Sequence, residues 1–172
     1  MADSDTGGQS PAPAASGSAV VDDGQPQVLI NAQYIKDFSF ENPRAPHSLL
    51  QTQAAPEVQI GVDVKAQTLA PGLYEVMLTI HADAKSGNDR VFLVELVYAA
   101  VTTAQNVPES DLARILLVET PRMLFPFARA IVANATREGG FMPLLLRPID
   151  FAELVRQQQA AAVAAGQAPA VA

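Results

Sequence analysis

The residues of this 172-residue chain that could do chemistry are few and scattered. Of its two histidines, His47 lies in an Ala-Pro-His-Ser segment and His81 in the polar half of an alternating stretch. Neither belongs to a metal-ligand or nucleophile–base spacing. The chain has no cysteine, so disulfides and thiolate zinc sites are excluded. Ser39 sits between Asp37 and Glu41 in "YIKDFSFENP", residues 34–43, but a hydroxyl becomes a nucleophile only beside a base, and no histidine is near in sequence. Asp63, Asp83 and Asp89 lack the spacing of a calcium loop. Gly139-Gly140 lacks both the preceding strand and the following Lys-Ser/Thr of a phosphate-cradling loop. The pattern contains no catalytic set and no metal site, so the chain is read as a non-enzyme.

Charge is left over once catalysis is set aside. Strand alternation over residues 34–43 puts Tyr34, Lys36, Phe38 and Phe40 on one face and Ile35, Asp37, Ser39 and Glu41 on the other. Two acids four residues apart on a strand face lie about 13 Å apart, with no base between them on that face. Such a surface can steer a basic peptide, raising its on-rate more than its affinity. The plainer alternative is that the acids keep an exposed strand soluble.

The elements that position these residues follow from periodicity. Residues 1–26 are rich in Gly, Pro, Ala and Ser, and residues 158–172 are almost entirely Ala, Gln and Val, so both are expected to be disordered tails around a domain at 27–157. The net charge is −7, and Asp3, Asp5, Asp22 and Asp23 supply four of those charges, leaving a mildly acidic domain without the basic patch that nucleic acid or an anionic membrane would require. No apolar run approaches the ~20 residues of a bilayer span, and the acidic N-terminus is unlike a secretory signal, which points to a cytoplasmic protein.

Val28–Phe40 reads as a first strand, followed by a long irregular connection over 42–56 with three prolines. In 57–66, Val58, Ile60, Val62 and Val64 share a face; in 73–84, Tyr74, Val76, Leu78 and Ile80 do. Strand four, 91–101, is apolar on both faces: Phe92, Val94, Leu96 and Tyr98 on one, Val91, Leu93, Val97 and Val101 on the other, interrupted by Glu95. A sheet covered on one side should alternate in every strand, so this second apolar face predicts burial against another subunit. Helices follow: one capped by Ser110 and ended by Pro121, one from about Arg122 to Gly139-Gly140, and one opened by the Asp150…Glu153 capping-box spacing. Strands first and helices after give an α+β fold, a four-stranded antiparallel sheet with helices on one side.

"YIKDFSFENPRAPH", "LYEVMLTI", "VFLVELVYAAV" and "PRMLFPFARAIVANATREGGFMPLLLRPIDFAEL" together resemble the bacterial SecB protein-export chaperones, from about Gln27 to Gln157. The resemblance implies a dimer of dimers and an ATP-independent chaperone without cofactor. It would hold unfolded precursor proteins in a translocation-competent state and deliver them to the SecA motor. It also implies that Asp37, Glu41, Leu93 and Glu95 receive the short basic, zinc-containing C-terminal tail of SecA. Resemblance and composition together place the client groove at Phe38, Phe40, Leu49, Leu50, Met123, Leu124, Phe127, Phe141 and Met142. The same fold could instead serve one dedicated client, as in a stress or toxin–antitoxin chaperone, or, in a different class, a small-molecule binder or enzyme.

Overall fold

In the computed structural model, which describes residues 24–50 and 55–164, four long strands form one antiparallel sheet and the helices follow. The strands are β1 (Gln27–Glu41), β2 (Glu57–Ala70), β3 (Leu73–Ser86) and β4 (Asp89–Gln105), in the spatial order β1-β4-β3-β2. Tight turns join β2 to β3 and β3 to β4, with Gly72 and Gly87 in the left-handed region at φ 72° and 61°. The Gly72 carbonyl accepts a 2.9 Å hydrogen bond from Ala104 N, which fixes the β2–β3 turn against the end of β4. The described residues of the connection 42–56, expected to be irregular throughout, include one helical turn, α1 (His47–Leu50), tied back by Ser48 Oγ to Asn42 Oδ1 at 2.8 Å. The acidic N-terminal stretch lies almost wholly outside the described residues.

One sheet face carries the core. Val64, Val76, Leu78, Ile80, Val94 and Leu96 are fully buried there against Leu116, Leu124, Val132 and Phe151 of the helices. Each contributes roughly 2 kcal/mol of apolar burial. α2 (Glu109–Arg114), a π-helical turn (Ile115–Glu119) and α3 (Thr120–Glu138) run on without a break. Two sequence expectations are corrected here. Ser110 does not cap; Pro108 holds the N-cap position, and its carbonyl accepts from Asp111 N and Leu112 N. Pro121 does not end the helix either. It has no N–H for an i−4 carbonyl, and the π turn just before it shifts the acceptor pattern so that the chain continues. Pro126 sits inside α3 on its exposed side, where the carbonyl of exposed Arg122 left without a donor faces water. Gly139 is the C-cap and Gly140 takes φ 86°, as a helix stop requires.

The last helix, α4, spans Phe151–Ala164, with Asp150 Oδ1 accepting from Glu153 N at 3.1 Å. It therefore runs past Gln157 into the stretch expected to be a disordered tail. Alanine and glutamine lack bulk for a core but favour helix, and Gln158 Nε2 donates to Asp63 Oδ1 at 2.9 Å, anchoring the extension to β2. Residues 165–172 lie outside the described residues.

The largest departure from simple alternation is in β1. Its pairing with β4 slips between Ile30 and Ala32 and again between Ile35 and Asp37. Each bulge inverts the phase. Phe38 and Phe40, opposite Leu96 and Val94, do face the helices, but Tyr34, opposite Ala99, lies on the outer face, and Ile35, opposite Tyr98, on the helix face. Tyr34 and Lys36 both reach Glu75 of β3 on the outer side. A third bulge, where Ala84 pairs with Phe92 and Lys85 with Arg90, leaves Val91 as the extra residue, and Val91 joins the core.

The expected unpartnered second face of β4 is thereby revised. Val91 is in the core, Leu93 and Ala99 are buried, and Val97 and Val101 are half-buried among outer-face neighbours. Exposed apolar area lies elsewhere, on edge strand β1 at Val28, Leu29, Ile35 and Phe38, and on α3 at Met123 and Phe127.

Candidate functional sites: an apolar cleft and a polar sheet face

The apolar cleft forms where α1 and the end of α3 meet the β2, β4 corner of the sheet. It has a volume of about 550 Å³. Its floor is an aromatic cluster: Phe92 lies 5.1 Å from Phe141 and 6.2 Å from Phe40, ring centre to ring centre. Leu49, Pro56, Val58, Val91, Met142 and Leu144 are among its other walls. The paired glycines make the close approach possible. A Cβ at Gly139 would stand 2.2 Å from the Phe40 ring, and one at Gly140 2.9 Å from Leu49. The segment after α3 is pinned by Thr136, whose buried Oγ1 donates to Val132 O at 3.1 Å and accepts from Leu144 N at 2.9 Å.

The residues assigned to the client groove divide between several places. Leu49, Phe141 and Met142 line the cleft, and Phe40 packs into its floor. Phe127 instead stacks on Tyr98, ring centres 6.4 Å apart, and with Met123, Phe38 and Leu50 it is exposed away from the cleft lining. Leu124 is wholly buried in the core, so its assignment to the groove is corrected: helical spacing alone did not reveal which side of α3 meets the sheet. Sequence reading missed Val58, Val91, Phe92 and Leu144 as walls. Phe92 and Val58 were visible as inward strand positions, whereas Val91 turns inward only through its bulge.

The outer sheet face is a lattice of directly opposed residues. Across β1, β4, β3 and β2 one row reads Glu41, Leu93, Asp83, Gln59; the next Ser39, Glu95, His81, Gly61; the next Asp37, Val97, Thr79, Asp63. Asp37, Glu41 and Glu95 are all exposed and share this face, and Leu93 is a buried apolar patch between Glu41 and Asp83. Among the described residues, Asp37 and Glu41 have no cation within ion-pair distance. Glu95 has His81 Nδ1 at 3.2 Å as its one contact within ion-pair distance among the described residues.

Cations do border the acids, contrary to the sequence expectation of an acidic strand face with no base beside it, but each is engaged elsewhere. Asp83 accepts from Arg90 Nε at Oδ1, 2.9 Å, and from Arg90 Nη2 at Oδ2, 3.0 Å, and Lys85 Nζ lies 3.2 Å from that same Oδ2. Arg90's two hydrogen bonds, with Lys85 in support, hold the Asp83 carboxyl down at about 2 despite its burial. Arg44 pairs with Asp89. At the far end of the face, Glu75 has a side chain only 4% exposed and takes Lys36 Nζ at 2.7 Å, the Tyr34 hydroxyl and Gln67 Nε2. Burial pushes Glu75 up, and the hydrogen bonds from Lys36, Tyr34 and Gln67 with the lysine's charge outweigh it, so its pKa is lowered. Donating to that carboxylate, with added burial, pushes the Tyr34 phenol up to about 12.

The sequence profile of the family described as preprotein translocase subunit SecB matches residues 22–162. The protein-export protein SecB of a Bradyrhizobium species is 52% identical over 140 residues, covering 80% of this chain and 86% of its own. Those of Rhodospirillum centenum and Maricaulis maris are 51% and 48% identical, covering 76% and 81% of this chain and 79% and 81% of theirs. In fold the chain is similar to a SecB-like chaperone of Mycobacterium tuberculosis, solved with a peptide from the HigA1 antitoxin, at TM-score 0.59 and 16% identity over 71% of this chain and 90% of that one. With the profile spanning most of its length and relatives at half identity, this chain belongs to the SecB family of protein-export chaperones.

Proposed function

We propose that the protein holds precursor proteins unfolded in the cytoplasm, without ATP, and hands them to SecA. The apolar cleft with an aromatic floor and a methionine at its rim carries this reading, because it presents apolar area without a charge or a fixed polar pattern to select one ligand. Burying about 1,000 Å² of client apolar surface gives a gross ~25 kcal/mol, most of which is offset by ordering a flexible chain, so holding is reversible. Asp37, Glu41 and Glu95 receive SecA's basic, zinc-containing tail, with Leu93 as an apolar rest at its centre.

The chain works as a homotetramer, a dimer of dimers. Support comes from β1, a 15-residue edge strand with exposed apolar side chains, and from Met123 and Phe127 on α3. A long apolar edge left open is an aggregation liability unless a second copy covers it. A monomer by light scattering at micromolar concentration would overturn the assembly.

Calorimetric titration with SecA's basic C-terminal peptide tests the handover. Saturable binding that weakens with salt is expected, with a loss of at least ~30-fold in the Asp37→Lys/Glu41→Lys double variant. Suppression of client aggregation should be unchanged in that variant. Equal loss of both activities would count against two separate sites.

A further inference from the structure

The outer face raises a question that the docking of a basic peptide does not answer by itself: why its own arginines leave the acids alone. Arg90 is an outer-face residue of β4, opposite Lys85, and the next row along the strand holds Glu41, Leu93 and Asp83. Its guanidinium is close enough to Glu41 and Glu95 for both to act on it electrostatically. Its hydrogen bonds go to Asp83 instead, two of them in a side-by-side fork that a carboxylate matches and a single exposed glutamate must compete with. The Asp83 side chain is 9% exposed, while Arg90 is 43% exposed, so the aspartate is the fixed partner and the arginine the one with freedom to move.

We infer that Asp83 is a positioning residue of the acidic face: by holding Arg90, and Lys85 with it, it keeps both cations from pairing with Glu41 and Glu95, of which Glu95 otherwise meets His81, and leaves the two acids open to a basic partner. Arg44 is likewise engaged by an aspartate, the exposed Asp89. The inference rests on the docking reading above and deepens it. Glu41 and Glu95 would make the contact, and Asp83, on the other side of Leu93 from Glu41, would set how much negative charge they present.

The test uses the full chain and SecA's basic C-terminal peptide in calorimetry at low salt. Asp83→Asn removes the charge that holds Arg90, which then folds over Glu41 and Glu95; binding is expected to weaken roughly fivefold. Asp83→Ser, smaller and equally uncharged, serves as the second variant if the asparagine perturbs folding, with the same expected loss. Adding Arg90→Gln to either variant should restore binding, because the competing cation is gone. A merely structural role for Asp83 would leave the double variant as weak as the single one, and that outcome overturns the inference. Wild-type binding unaltered in both Asp83 variants also overturns it while leaving the docking reading intact. No binding by the wild-type chain overturns the docking reading and the inference with it.

Discussion

The two ends of the outer sheet face treat the same kind of side chain in opposite ways. Glu75 is enclosed by Lys36, Tyr34 and Gln67, with every neighbour donating to it. Asp37 and Glu41, farther along β1, stand exposed with no cation within ion-pair distance among the described residues. A carboxylate taken out of water must be hydrogen-bonded and paired, whereas one left in water can be idle until a partner arrives. The Glu75 end is therefore structural, and what it stabilises is the β1 bulge: Lys36 is the extra residue there, and its ammonium is fastened to Glu75. That bulge sets the phase in which Asp37 and Glu41 point outward and Phe38 and Phe40 toward the helices. The buried acid thus governs the placement of the exposed ones.

Replacing Glu75 with alanine is the largest expected effect. It strands three donors and loosens the bulge, and urea unfolding should show a loss of about 2–3 kcal/mol. A loss below about 0.5 kcal/mol would erase the distinction between the two ends. Asp37→Asn is its counterpart: stability should stay within about 0.5 kcal/mol of the parent, since no ion pair is broken, while affinity for a basic peptide falls. A large destabilisation from Asp37→Asn would mean that the exposed acid is structural after all.

Much of this arrangement was legible in the sequence. The alternation of β2 and β3 put Val58, Ile60, Val62 and Val64 and Tyr74 to Ile80 on one face, and the register bears that out, although Ile60 lies beyond the helices' cover and is exposed. Asp37 and Glu41 were assigned correctly to one face because no bulge falls between them. Tyr34 and Lys36 were not, because a bulge is a single added residue whose cause, here Glu75 of another strand, is distant in sequence. The Asp83–Arg90 fork was hidden for the same reason, since it bridges a hairpin whose pairing slips at Val91. Leu124 and Met123 differ by one position on α3, yet one is core and the other exposed; the helical period gave the stripe, and only packing against the sheet decided which edge of it was covered.

The smallest expected effect lies in the pH dependence, and it too separates the two ends. Tyr34 holds its proton to about 12, against about 10 in an unfolded chain, because that proton is donated to the Glu75 carboxylate in a partly buried setting and the ionised phenol would face the same charge. Its contribution to stability is thus complete below about pH 10 and is lost as pH rises from there toward 12. Asp83 behaves with opposite sign. Its carboxyl ionises near 2 in the folded chain and near 4 when unfolded, so its contribution is present above about pH 4 and fades as pH falls toward 2. Denaturation midpoints followed across pH should show the alkaline decline flattened in Tyr34→Phe, with the acid limb made slightly shallower by loss of the Tyr34 hydrogen bond that helps lower Glu75, and the acid decline flattened in Asp83→Asn with the alkaline limb unchanged. Phenolate absorbance gives a direct check, because the Tyr34 phenol should titrate well after a free one, a late component that Tyr34→Phe removes. If no phenol titrates later than a free one, the Tyr34–Glu75 contact does not persist in solution, and the bulge must be held by Lys36 and Gln67 alone.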